Sequence, residues 1–134
     1  MPKKTLNIGL IGYRFMGKAH SNAWRQAPAF FDLKRKVCLH TICGRNSSEL
    51  EKARVQFGWD HAQTDWRKVV ADREIDVIDI NTPNDTHAQI AIAAAKAGEH
   101  VLCEKPLALN LADAREMVEA CKAANVIMGT NHHL

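Results

Sequence analysis

This 134-residue chain has no excess of one charge: 18 Lys and Arg stand against 15 Asp and Glu, a net +3. The charges are scattered, which argues against a nucleic acid or an anionic membrane as partner and leaves a small molecule as the expected ligand. Cysteine is scarce as well. Cys38, Cys43, Cys103 and Cys121 show no C-x-x-C spacing, so they are read as small apolar core residues of a reducing, cytoplasmic protein, with no disulfide framework and no metal set. No apolar run approaches the length that spans a bilayer. Lys3-Lys4 precedes apolar residues, but Asn7, Gly9 and Gly12 interrupt them and no small-residue cleavage site follows, which excludes a secretory signal. Internal repeats and low-complexity segments are absent, and the length suits one domain, residues 1–134, around one core.

What the sequence does contain is an alternation. Thr5 to Ile11 is apolar on both faces, as expected of a strand covered on both sides. A helix is expected from Phe15 to Gln26, ended by Pro28, with Phe30 and Phe31 packing the following excursion onto the body. Val37 to Cys43 reads as a strand. The capping-box spacing of Ser48 and Glu51 starts a helix that runs to Phe57 and stops at Gly58. A short strand near Asp60 to Ala62, a small helix around Trp66, Val69 and Val70, and a strand Ile75 to Ile80 follow. That last strand alternates apolar and acidic residues, and its place between helices argues for an interior parallel strand. Asn84 or Asp85 is expected to cap an alanine-rich helix to Ala97, closed by Gly98. His100 to Cys103, a helix from Leu111 to Ala124 capped by Asn110, and Val126 to Thr130 complete the chain. Alternation of this kind predicts an α/β fold, a doubly wound parallel sheet with helices on both faces.

Ligands bind such sheets at the carboxyl ends of the strands. Each unusual cluster of this sequence follows a strand: Gly12 to Gly17, Gly44 to Asn46, Thr82 to His87, Glu104 to Pro106 and Asn131 to His133. The first, Gly12-Tyr13-Arg14-Phe15-Met16-Gly17, is a strand-turn-helix of the kind that aims helix amides at a pyrophosphate, with Arg14 where the usual pattern has its second glycine. At the end of the second strand an acid favours NAD and a cation favours NADP. This chain has Arg45 there, beside Ser47 and Ser48, which favours NADP.

In this order and spacing GLIGYRFMGKAH, NTPNDTH, AAKAGEHVLCEKPLA and GTNHHL resemble the N-terminal domain of the glucose-fructose oxidoreductase, inositol dehydrogenase and rhizopine-catabolism family (Gfo/Idh/MocA), over nearly the whole chain. The resemblance implies a Rossmann domain of an NAD(P)-dependent oxidoreductase acting on a sugar, inositol or related polyol; the closing Asn131-His132-His133-Leu134 is similar to members that reduce anhydro sugars. It implies Lys105 as the catalytic lysine and Glu104 as the residue that orients it or lines the nicotinamide pocket; Pro106 fixes the backbone after it, and a cis bond between Lys105 and Pro106 is one way to aim the lysine inward. Gly12, Arg14, Phe15, Met16, Gly17, Arg45, Thr82, Pro83, Asn84, His87, Glu104, Lys105 and Pro106 are the implied cofactor contacts, with Asn131 and His132 toward the substrate. His20 is expected to support the glycine turn. Family members continue into an α+β domain that these residues lack, so the chain reads as the cofactor half of an oxidoreductase that needs that domain or self-associates as a homo-oligomer. The alternative is a stand-alone dinucleotide-binding module without turnover.

Overall fold

The computed structural model describes residues 4–132, which leaves His133 outside the described residues. Strands β1 (Thr5–Ile11), β2 (Lys36–Cys43), β3 (His61–Gln63), β4 (Val77–Ile80), β5 (His100–Glu104) and β6 (Met128–Asn131) alternate with helices α1 (Phe15–Phe30), α2 (Ser47–Phe57), α3 (Trp66–Val70), α4 (His87–Lys96) and α5 (Leu111–Ala123). The strands form one parallel sheet in the order β3-β2-β1-β4-β5-β6. The order reverses between β1 and β4, so the crevice of this fold opens above their carboxyl ends.

The pleat divides the core in two. Ile8, Leu10, Ile42 and Val77 turn to one face, where Leu50 and Ala53 of α2, Trp59 and the half-buried Trp24 of α1 cover them. Ile11, Ile78, Ile80, Val101 and Cys103 turn to the other, against Val69 of α3, Ile90, Ala91, Ala94 and Ala95 of α4, and Met117 and Cys121 of α5. Small residues let α4 approach closely. At Gly9 an added Cβ would lie 2.9 Å from Val69 Cγ1, so α3 sits where only glycine leaves room. All four cysteines are free, and Cys43, Cys103 and Cys121 are buried. Among the described residues no helix is long and apolar enough to cross a membrane.

Four local expectations need correction. Pro28 does not end α1, which continues to Phe30: proline's fixed φ suits a helix, the missing N–H costs one bond, and the next turn resumes with Phe31 N–H donating to Ala27 O at 3.0 Å. Phe30 and Phe31 do not pack onto the body; they are 74% and 66% exposed. The cap of α2 is Asn46, whose side chain accepts from Glu49 N–H, while Glu51 pairs with Arg54 at 2.7 Å. An Asn one residue before a Ser-Ser pair is the better acceptor position, and the helix therefore starts at Ser47. Neither Asn84 nor Asp85 caps α4; they form a 3-10 turn, Asn84–Thr86, held by Thr86 Oγ1 donating to Pro83 O at 2.7 Å.

Candidate functional site

At the first of the clusters, Gly12 N–H donates to Cys43 O and Gly12 adopts φ +100°; an added Cβ would meet Asn81 O at 2.6 Å. Gly17 is tighter still, since a Cβ there would lie 2.0 Å from Gly12 O. These two glycines bring the start of the 16-residue helix α1 hard against the end of β1. No side chain caps α1 and no acid occupies its first turn, so its first amides and its dipole face outward, an arrangement suited to an anion such as a pyrophosphate. Arg14 and Phe15 flank it, both exposed, with Met16 half-buried. Gly17→Ala should cost about 2–3 kcal/mol of stability, because the obstructing atom is backbone and cannot step aside. Urea melts would show it; a loss under ~1 kcal/mol would mean that the turn is looser than its geometry.

The loops after β4 and β5 stand beside this turn. Lys105 is exposed, and its peptide bond to Pro106 is cis. His87, expected among the cofactor contacts, is not presented to a ligand: it is 1% exposed, with Nε2 2.8 Å from Thr82 O and Nδ1 3.0 Å from Pro106 O. It is a brace between the two loops that carry Thr82, Pro83 and Lys105. Thr82 and Asn84 are half-buried and Pro83 exposed.

Beneath Lys105 lies a charged network. His20 of α1 places Nδ1 2.8 and 2.9 Å from the carboxylate oxygens of Asp79 and Nε2 2.9 Å from Glu104 Oε2. Trp24 donates from its indole to Asp79 at 2.7 Å, Asn81 donates to Asp79 at 2.9 Å, and the side-chain amide of Asn131 lies 2.8 Å from His20 Nε2. Burial works against a charged His20, but the bonds and charges of Asp79 and then Glu104 outweigh it, so its pKa is raised above the usual 6.5. His20 therefore ties α1 to Asp79 of β4, Glu104 of β5 and Asn131 of β6. Asn131, expected at the substrate, turns its side chain to His20, while His132 is exposed. Glu104 Oε1 and Asn81 Oδ1 are buried acceptors without a protein partner among the described residues, available to a donor such as a ribose hydroxyl or a carboxamide.

Sequence reasoning passed over Asp79, Trp24, Tyr13 and Glu49. Asp79 carried a signal, an acid in a strand read as interior, which demands buried partners. The Tyr13 ring lies on Gly44, where a Cβ would come within 2.0 Å of Tyr13 Cδ1, and its hydroxyl donates to Glu49 Oε2 at 2.6 Å. Arg45 is exposed in the same loop, with Ser47 and Ser48 in the first turn of α2. A cavity of about 580 Å³ lies elsewhere, at the amino edge of the sheet around Arg35, Asp72, Arg73 and Glu99, away from every cluster named above.

Residues 6–132 match a family profile described as an oxidoreductase family with an NAD-binding Rossmann fold. Levoglucosan dehydrogenase of Pseudarthrobacter phenanthrenivorans is 44% identical over 126 residues, 92% of this chain and 32% of that protein. Myo-inositol 2-dehydrogenase of Thermotoga maritima is 32% identical over 93% of this chain and 35% of its own length. A solved structure of levoglucosan dehydrogenase in complex with NADH superposes with a TM-score of 0.91 at 42% identity, over 94% of this chain and 34% of that one. The chain thus spans about a third of the length of the curated relatives it matches.

Proposed function

This chain belongs to the Gfo/Idh/MocA oxidoreductase family, and from that premise we propose that it is the cofactor-holding part of a nicotinamide-dependent dehydrogenase of sugars or polyols. The observation that carries this reading is the meeting, on one sheet edge, of the open α1 amino terminus with Lys105. The turn Gly12–Gly17 and the α1 amides would hold the pyrophosphate. Thr82, Pro83 and Glu104 would border the nicotinamide and its ribose, with Glu104 Oε1 and Asn81 Oδ1 accepting from its hydroxyls or carboxamide. When bound, the nicotinamide supplies a hydride acceptor or donor.

Lys105 supplies the rest of the chemistry expected from this chain. In reduction its ammonium donates a hydrogen bond to the substrate oxygen, offsets the negative charge developing there and gives it a proton; in oxidation the neutral amine accepts the hydroxyl proton and becomes the ammonium. Glu104 is anchored by His20 at one carboxylate oxygen, which fixes the backbone from which Lys105 projects. Asn131 takes part through His20, and His132 is the nearer candidate for contact with a substrate.

On the choice of cofactor two side chains oppose each other. Arg45 favours the 2′-phosphate of NADP, as the sequence predicts. Glu49, brought to the same loop by Tyr13, disfavours it, and the relative noted above was solved with NADH. The balance reads as NAD(H). In a chimera that joins this chain to the remaining two-thirds of the Pseudarthrobacter relative, Lys105→Ala should lower turnover of levoglucosan on the order of 10²–10⁴-fold. NADH affinity, measured by calorimetry, should change little. A variant that kept full turnover would remove Lys105 from the chemistry. An unmutated chain that binds NADH while every chimera stays inactive would favour a binding module without turnover.

A further inference from the structure

The end of β2, Gly44-Arg45-Asn46, has no acid to meet a ribose diol, yet the fold delivers one from another element. Glu49 stands in the first turn of α2, and its Oε2 accepts from Tyr13 OH at 2.6 Å. Tyr13 belongs to the glycine turn, and its ring lies across Gly44, at a position that no side chain on residue 44 would permit. The phosphate-binding turn and the β2–α2 loop are thereby joined by one hydrogen bond. The ribose of a dinucleotide whose pyrophosphate lies on α1 falls between these two loops. Arg14 and Arg45 are close enough to oppose the rise that Glu49 imposes on the Tyr13 hydroxyl's pKa, so the two guanidiniums and the carboxylate share this one place.

Resting on the dinucleotide reading above, we propose that Glu49, held in place by Tyr13, selects the unphosphorylated adenosine ribose and excludes the 2′-phosphate. The carboxylate accepts from the 2′- and 3′-hydroxyls when they are present and repels a phosphate in their place. Arg45 pulls the other way, and the anchored carboxylate offsets it. Tyr13 is the positioning residue: its hydroxyl holds one carboxylate oxygen and leaves the other facing the ribose.

Calorimetric titration of the chain with NADH and with NADPH, in the unmutated form and in Glu49→Gln and Tyr13→Phe, tests this assignment. Thermal melts check that the variants fold, which the exposure of Glu49 favours. Glu49→Gln should tighten NADPH relative to NADH about 10-fold, the scale of one repulsive charge pair near the surface. Tyr13→Phe keeps the charge and releases its anchor, so it should move the ratio in the same direction by about 3-fold. A ratio of affinities unchanged in both folded variants overturns the role of Glu49 and leaves dinucleotide binding standing. An unmutated chain that binds neither nucleotide overturns both readings together.

Discussion

His20→Ala should remove about 3–5 kcal/mol of folding stability, the scale of breaking a buried ion pair from one side. Asp79 is 0% exposed and Glu104 nearly as buried, and each takes a hydrogen bond from the same imidazole. Without the ring the two carboxylates face each other across an unfilled space, with Trp24 and Asn81 still bonded to Asp79 and no donor left on Glu104 Oε2. A domain of this size has only about 5–15 kcal/mol in total, so this single change approaches the limit of folding. The pH dependence follows from the direction of the His20 shift. Its folded pKa is raised, so the stability it contributes is fully present below about 6.5 and is lost as pH rises through the folded value. The cost of His20→Ala should therefore be larger at pH 6 than at pH 9. His20→Gln, which still donates to one carboxylate, should recover part of it. Urea melts at both pH values measure all three proteins, and a loss below ~1 kcal/mol at pH 6 would show that the network is not charged.

Glu99→Gln should act in the opposite sense and stabilise the protein in alkaline solution. Glu99 follows Gly98, whose φ of +86° ends the α4 turn, and it enters β5 with its side chain 4% exposed. Neither carboxylate oxygen has a hydrogen-bond partner among the described residues. Burial pushes its pKa up to about 8, and the neighbouring charges of Asp72 and Asp76 push the same way. A folded pKa above the unfolded 4.5 means stability present below 4.5 and lost progressively as pH rises through about 8. The glutamine variant keeps the shape and cannot ionise. It should match the unmutated protein near pH 4.5 and exceed it by about 3 kcal/mol at pH 9. His20 titrates in the same direction in both proteins, so the difference between their curves isolates Glu99. Parallel curves from pH 4.5 to 9 would show that Glu99 stays protonated or finds a partner.

The alternation of elements, the parallel sheet and the gathering of five clusters on one edge were all legible in the residues. Apolar runs bounded by glycine and capping residues carry a local period, and the right-handed crossover leaves few topologies for that order. Asn110 and Gly58 were legible for the same reason: a cap or a left-handed stop depends on three or four adjacent residues. Where two local signals competed, an element's bounds moved: the start of α2 by one residue, from Ser48 to Ser47, and the end of α1 by four, from Gln26 to Phe30. Both spellings are compatible with a helix, and packing chooses between them. His87 was misplaced for a different reason. Its position beside a ligand-binding loop is a matter of sequence, but its direction, inward to Thr82 O and Pro106 O, depends on a loop 19 residues away.

By itself, then, the sequence determined the fold class and the placing of its unusual clusters at the carboxyl ends of the strands, because both follow from short-range pattern and spacing; the role proposed for Lys105 came from the resemblance to a family. Only the tertiary structure decided which residues act together. Asp79 meets His20 across 59 positions, Glu104 meets it across 84 and Asn131 across 111, while Glu49 reaches Tyr13 across 36. A charge is neutral ballast or an essential partner according to its burial and to what lies within 3 Å, and neither is a property of the neighbouring letters.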